Sequence, residues 1–317
     1  MVFIYSGDKL SEMGSLVTVI LICYNQRGWV QEAIDSVLNQ TYPYVELIVV
    51  DVGSNDGSNL YLKNVCDQLD LEFIGLEENI GNCRAFNLAF KFCKGDYVID
   101  LAGDDVLLSE RIEKGVKKLE EYGTDFGFHY SDAEYIDEKS RLIGQHSSSL
   151  RNLPDEFFSD PFPEGELFNL ILRNYFICPP TMMVRKDVVE ELAGYDESLS
   201  FEDFDFWLRA AKITSFCSSQ EPLVQKRTVI GSQSNNPIYH KDHASSMVKI
   251  CKKIQRNLLE PTDDHDAFNK RLEYEMRLCY RRMLKKELKE LAEIYKEHNR
   301  NNKKSWNYYV HIFLSRM

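Results

Sequence analysis

Asp104 and Asp105 are adjacent carboxylates that follow a short apolar run, Tyr97, Val98, Ile99 and Leu101, through a break at Ala102-Gly103. Neighbouring acids repel each other unless a cation or hydrogen-bond donors compensate. A hard divalent cation carrying phosphate would do so, since Mg²⁺ takes one or two protein carboxylates and completes its shell with water and phosphate oxygens. A solvated turn explains the same residues without a ligand, and on this stretch alone both readings stand. A second turn, Asp51-Val52-Gly53-Ser54-Asn55-Asp56-Gly57-Ser58, lets backbone approach a ligand and offers side-chain acceptors. A capped strand-to-helix loop needs the same residue types. Glu202 and Asp203 precede an aromatic segment with Phe204, Phe206 and Trp207. Acids at a helix start are stabilised by the macrodipole by about 0.3–1 kcal/mol, so they too have a purely structural reading. Arg84 could neutralise phosphate or contact a base, although a surface ion pair is the commoner fate of an arginine.

The elements that must position these groups follow from the apolar pattern. Val17–Cys23 (VTVILIC) is a β-branched run of the kind covered on both faces of a sheet. Trp29, Val30, Ala33, Ile34, Val37 and Leu38 recur at helical spacing, and VELIVV from Val45 forms a second buried strand. This is a βαβ unit, with the right-handed crossover such units take. A helix near 59–69, a strand at 71–76 and a helix ending near Cys93 lead to the strand before Asp104. Asn25, Asp51 and the Asp104/Asp105 pair therefore stand at carboxyl ends of strands of one sheet, where open α/β sheets bind ligands. Three polar strand ends on one edge favour a site over coincidence. Ser109 is expected to cap a helix running to about Tyr122, and Ser200 the helix carrying Asp203. A strand to Tyr130 follows, then a hairpin and long loop over 132–163, a short helix at 164–173 and a strand at 177–184.

The 317 residues are 44% hydrophobic and 28% charged, ordinary for a globular protein. No apolar run reaches the roughly 20 residues that span a bilayer, and the basic-then-apolar start of a signal peptide is absent from the N-terminus. The eight cysteines form no C-x-x-C pair, and reduced, buried thiols in a cytoplasmic protein are expected. The net charge of −12 is uneven. Residues 270–317 carry 13 Lys and Arg against 6 Asp and Glu, a surplus of 7, which leaves −19 on residues 1–269. An acidic body of this kind does not suit nucleic acid.

The ordered series VTVILICYNQRGWVQEAIDSVLNQTYPYVELIVVDVGSNDGS, the segment Asn79–Asn87, and GDYVIDLAGDD resembles glycosyltransferase family 2, of the bacterial surface-polysaccharide type, over roughly residues 16–230. The resemblance implies an α/β GT-A fold: a Rossmann-like, mostly parallel central sheet flanked by helices. It implies transfer of a sugar from a nucleoside-diphosphate donor, a UDP-sugar in the commonest case, with Mg²⁺ or Mn²⁺ and inversion at the anomeric carbon. Asn25 then lies beside the nucleotide, Asp51 hydrogen-bonds the base, Asp56 shapes the same pocket, and Asp104 and Asp105 share ribose and metal. Asp203 matches the general base, and Glu202 meets the acceptor or orients the loop. Lys226 and Arg227 stand where the family contacts pyrophosphate. The chain departs from the pattern in three places. Ala102 replaces the first acid of D-x-D-D, Phe86 stands where an Arg is frequent with Arg84 two positions earlier, and Thr228 stands where a His is expected, with His240 or His243 as substitutes at the wrong spacing.

The expected organisation is a loose arm over 1–15, a glycosyltransferase domain over 16–240, and a C-terminal helical extension over 241–317. Within the domain, 16–110 is the nucleotide-binding half and 111–240 the acceptor-binding half. The extension reads as a helix at 247–259, a break at Pro261 and one long charged helix from Asp266 to about Asn299. Two roles stay open for it: packing on its own domain or a second subunit, or peripheral attachment to the inner face of the membrane, to which the aromatic, basic-flanked stretch Trp306–Met317 is suited. The partners implied are a nucleotide-sugar donor and a glycan or lipid-linked acceptor. Two other functions remain on the sequence. A nucleotidyltransferase would want a glycine-rich, basic phosphate loop after the first strand, where this chain has CYNQRG. A non-catalytic sugar-nucleotide or glycan binder is favoured by Ala102 and opposed by Asp104, Asp105 and Asp203 together.

Overall fold

Three strand ends define the architecture. The protein is described here by a computed structural model covering residues 14–150, 162–229 and 237–300, without the side chains of 237–240. Most of the expected N-terminal arm, Pro154 and Pro161 of the long loop, the His240 side chain and the stretch Trp306–Met317 lie outside the described residues. In chain order the elements are β1 (Val17–Cys23), α1 (Val30–Leu38), β2 (Val45–Val52), α2 (Ser58–Leu69), β3 (Glu72–Leu76), α3 (Asn82–Phe90), β4 (Tyr97–Ala102) and β5 (Val106–Leu107). Then come α4 (Arg111–Tyr122), β6 (Phe126–Ile136), β7 (Leu142–Gln145), α5 (His146–Leu150), α6 (Phe168–Arg173), β8 (Met183–Arg185), α7 (Lys186–Glu191), α8 (Glu202–Ala210) and β9 (Ser215–Arg227). The last described elements are α9 (Pro237–Lys253), α10 (His265–Arg281) and α11 (Lys285–His298).

The chain divides into two compact units. The first, residues 1–167, 176–197 and 213–230, holds the sheet, ordered β3-β2-β1-β4-β8-β6-β9-β5 with β7 on β6. β3, β2, β1 and β4 are parallel to their neighbours, as the βαβ pattern requires. β8 then joins antiparallel to both β4 and β6, and β9 runs parallel to β6. Every residue of β1 is buried, because helices cover both faces of a strand in this position. Val19, Leu21, Val49, Ile99 and Leu101 pack with Ala33 and Ile34 of α1 and Ile112, Val116 and Leu119 of α4 in one core. The eight cysteines are free and buried.

The second unit, residues 168–175, 198–212 and 231–317, is helical over its described residues. Tyr175 packs against Phe201, Phe204 and Trp207, and Asp205, fully buried on α8, accepts from Arg209 at 2.7 Å and Lys253 at 2.6 Å. The long helix expected from Asp266 to Asn299 is two helices. Met283 adopts a left-handed φ of 57°, and the Leu284 amide donates back to Cys279 O at 2.9 Å, which closes α10 and lets α11 return beside it. No glycine or proline marks this break, so the periodicity runs through it unaltered.

Neither serine expected as a cap acts as one. α4 begins at Arg111 and α8 at Glu202, and neither has a side-chain cap bond. The Ser109 carbonyl accepts from Thr41 N at 2.9 Å, while the Ser200 hydroxyl lies 3.1 Å from that of Ser246. No helix among the described residues is long and apolar enough to cross a membrane.

Candidate functional site

The register of the parallel strands decides what meets at the sheet edge. Cys23 of β1 pairs with Asp51 of β2, and Ile22 pairs with Ala102 of β4. The turns after β1, β2 and β4 therefore leave the sheet at one level. Strand order reverses between β1 and β4, and open α/β sheets bind their ligands at such a crevice.

Asp51 is fully buried. Its Oδ2 accepts from Ser54 N at 3.0 Å and Asn59 Nδ2 at 2.9 Å. Its Oδ1 is buried with no hydrogen-bond partner. A buried acceptor left unpaired costs about 1–3 kcal/mol, so this oxygen is a strong demand for an incoming N–H or O–H donor. The turn that carries it is held tightly. Gly53 has φ 67°, and a Cβ there would lie 2.6 Å from the Glu78 carbonyl carbon, so only glycine lets this loop pass the segment after β3.

Asn25, left-handed at φ 55°, ties the first turn to the second. Its amide donates to Ser54 Oγ at 2.9 Å, and its side-chain carbonyl accepts from Asn55 N at 2.8 Å. Asp56 accepts from Arg27 N at 2.9 Å and from the amide and hydroxyl of Ser58. Burial alone would raise its carboxyl, but these donors outweigh it and hold it below the usual aspartate range. Asp56 thus fastens both turns and starts α2.

Asp104 and Asp105 follow β4. Asp105 is buried, and its Oδ1 accepts from Arg227 N at 2.9 Å. Burial, then the neighbouring Asp104, push its carboxyl up from 3.8 to about 7 against the pull of Lys226 and Arg227. Burial raises Asp104 also. Asp104 Oδ1 accepts from Gln26 Nε2 at 2.7 Å, a bond that bridges the crevice between β1 and β4. Gly103 makes room for it, since a Cβ there would lie 2.8 Å from Gln26 Oε1. Two adjacent carboxylates, both disfavoured as anions by their surroundings, fit a divalent cation. No set of three or more ligating side chains occurs among the described residues, and two carboxylates suffice where phosphate and water complete a Mg²⁺ or Mn²⁺ shell.

The cationic residues divide. Arg227 is not placed to meet a phosphate. Its side chain is fully buried and ion-paired to Glu32 at 2.6 Å. It also donates to Asp104 O, Asp137 O and Ser140 Oγ, each at 2.9 Å. The pattern at 225–228 cannot distinguish this from a phosphate contact, because Glu32 and Asp137 are remote in sequence. Lys226 points from β9 with partial exposure and acts electrostatically on Asp104 and Asp105. Arg84 is exposed and paired with Glu197 at 3.5 Å.

Glu202 and Asp203 lie in the second unit, in the first turn of α8, and both are half-buried. Gln26, Ser54, Asn59 and Glu32 were not singled out by motif reading. Each matters through a bond to another site residue, a relation that sequence spacing does not carry.

A family model described as Glycosyl transferase family 2 matches residues 18–193. An uncharacterized glycosyltransferase of Rickettsia typhi is 30% identical over 229 residues, which cover 72% of this chain and 68% of that protein. A putative teichuronic acid biosynthesis glycosyltransferase of Bacillus subtilis, TuaG, is 29% identical over 226 residues, covering 70% and 82%. Among solved structures, S. aureus TarS 1–349 in complex with UDP-GlcNAc aligns with a TM-score of 0.62 at 18% identity, covering 92% of this chain and 93% of that one. The mannosyltransferase PcManGT from Pyrobaculum calidifontis, in complex with GDP-Man and Mn²⁺, aligns at 0.58 and 18% identity, covering 89% and 74%. These two likenesses are of fold, the GT-A arrangement expected from the motif series.

Proposed function

This chain belongs to glycosyl transferase family 2, and we propose that it transfers a sugar from a UDP-sugar to a hydroxyl of a glycan or lipid-linked acceptor, with inversion, in the making of a surface polysaccharide. The single observation that carries the donor half of this reading is the buried, unpartnered Oδ1 of Asp51, two strands from the Asp104/Asp105 pair on one sheet edge. A nucleobase N–H answers the first and a ribose-diphosphate the second. UDP-GlcNAc in TarS and GDP-Man with Mn²⁺ in PcManGT support the donor class, and the teichuronic acid biosynthesis assigned to TuaG supports the pathway.

In this reading Asp51 accepts from the base, with Asn25 and Asp56 holding the loops that enclose it. Asp104 and Asp105 divide ribose and metal between them. The metal, when bound, offsets the charge of the departing diphosphate. Lys226 adds a positive charge for the phosphates, whereas Arg227 supports the acidic turn from beneath. Asp203 takes the proton of the acceptor hydroxyl as its oxygen attacks C1. In the same displacement the C1–O bond to the β-phosphate breaks, and UDP leaves with that electron pair. A sugar hydroxyl is a poor nucleophile without such a base.

Screening nucleotide-sugars by mass spectrometry for slow hydrolysis tests the donor without an acceptor. UDP release from one UDP-sugar, stimulated by Mn²⁺ or Mg²⁺ and abolished in Asp105→Asn, is expected. Binding without turnover in every pairing would favour the non-catalytic binder. Pyrophosphate formation from a nucleoside triphosphate would favour a nucleotidyltransferase.

A further inference from the structure

The turn between α10 and α11 carries a charge that nothing in the sugar-transfer chemistry uses. From Arg277 to Lys289 the chain has six basic residues and a single acid, Glu287, in a protein of net charge −12. Glu287 is buried and accepts from Ser245 Oγ at 3.2 Å, so it does not screen the surface. Arg281, Arg282, Lys285 and Lys286 are all exposed, and none makes an ion pair among the described residues.

The two helices run antiparallel, as the pairs His265–His298 and Glu273–Tyr295 record, and the basic residues therefore gather at one tip. Arg281 and Arg282 suit the negative end of the α10 macrodipole. Lys285 and Lys286 occupy the first turn of α11, the end that disfavours cations. Lys286 acts electrostatically on Glu290 one turn along α11, but no such partner among the described residues accounts for Lys285.

Met283 stands at the apex. It is 75% exposed and occupies the left-handed position of a helix-ending motif, with Leu284 N donating to Cys279 O at 2.9 Å and Met283 N to Tyr280 O at 3.1 Å. Glycine fills such a position at lower conformational cost. The chain instead holds a large apolar side chain in water there, beside Tyr280, which is 40% exposed. Exposed apolar groups ringed by cations match a surface with anionic headgroups outside and hydrocarbon beneath. A soluble polyanion would answer the charges but gain nothing from the methionine.

We propose that the α10–α11 tip docks on an anionic lipid surface, with Arg281, Arg282, Lys285 and Lys286 at the headgroups and Met283 below them. This goes beyond the sugar-transfer reading and fails separately from it, because donor hydrolysis reports the one and vesicle binding the other. The test is flotation of the full chain with phosphatidylcholine vesicles, with and without phosphatidylglycerol. Binding is expected only with phosphatidylglycerol, declining as salt is added. Each basic residue near such a surface strengthens binding about fivefold, so replacing three (Arg281→Gln, Arg282→Gln, Lys285→Gln) should weaken it on the order of a hundredfold. Met283→Ser should weaken it several-fold without changing the salt dependence. Circular dichroism and UDP affinity, unchanged in both variants, guard against misfolding. Equal binding to neutral vesicles, full binding by the triple variant, or no vesicle binding at all would overturn the proposal. So would tight binding of soluble polyphosphate that Met283→Ser leaves unaltered, which would assign the tip to a polyanion. Loss of a dimer on charge removal, with no lipid dependence, would assign it to a second copy.

Discussion

Arg227 grips the acidic turn at two points: its amide donates to the Asp105 carboxylate at 2.9 Å, and its Nε donates to the Asp104 carbonyl at 2.9 Å. The last residue of β9 thereby fixes the carboxylates that follow β4. The remaining guanidinium donors reach Glu32 on α1 and the β6–β7 turn. Replacing Arg227 by Met should remove the donor to the Asp104 carbonyl and cost about 1–3 kcal/mol of stability, the range for an acceptor left unpaired. The Asp137 carbonyl keeps Ser140 N at 3.0 Å, and Glu32, 42% exposed, keeps its water. Urea denaturation measures this. A phosphate ligand would behave oppositely, with stability preserved and UDP affinity lost.

Asp51 carries an unmet hydrogen bond at the proposed nucleotide site, its buried Oδ1. Asp51→Ala should weaken UDP binding by about 1–3 kcal/mol, the range for a buried acceptor that gains its donor from the ligand. Calorimetry with UDP and with ribose 5-phosphate separates base from sugar-phosphate. The loss should appear for UDP and be absent for ribose 5-phosphate.

His129 predicts an acid-side instability. Its Nδ1 lies 3.2 Å from the Arg111 guanidinium, which can only donate, so this nitrogen must carry a lone pair. Burial, then Arg111 and Lys118, hold its pKa well below 6.5. The unfolded chain takes up a proton near pH 6.5 that the folded chain refuses. Stability from this group is therefore complete above pH 6.5 and is lost as pH falls toward the depressed folded value. Thermal melts between about pH 7 and 5 should show this slope, and His129→Asn should flatten it.

The sheet edge was legible because β1, β2 and β4 are apolar runs ending in abrupt polar turns, a contrast that each strand displays locally. Asn25, Asp51, Asp104 and Asp105 fall out of that contrast. The bond from Gln26 to Asp104 was not legible, since it joins turns 78 residues apart. Nor was β9: Lys226 and Arg227 drew notice only as pyrophosphate contacts, and the pairing with β6 and β5 is what places them on a strand. Ser109 and Ser200 have the right type for caps, but Glu110 takes the N-cap position of α4, and the Ser200 hydroxyl meets that of Ser246 instead. The break at Met283 hides because methionine is a good helix former, and only the left-handed backbone reveals the turn.

Asp203 and Asp205 share the first turn of α8, and their surroundings assign them different work. Asp205 is fully buried between Arg209 at 2.7 Å and Lys253 at 2.6 Å. Both its oxygens are spent on holding helices together, so Asp205→Asn should lower the melting temperature and affect turnover only through folding. Asp203 is half-buried, two residues away, and a residue two positions along a helix points to a different side. A base that removes a proton during attack contributes to the transition state and little to donor binding. Asp203→Asn should therefore keep UDP affinity and melting temperature near the wild type while sugar transfer falls roughly 10²–10⁴-fold. A helix-start role predicts the reverse, a small loss of stability with normal turnover. Measured side by side, the two variants separate chemistry from scaffold. Wild-type transfer by a folded, donor-binding Asp203→Asn protein would remove the base from this mechanism.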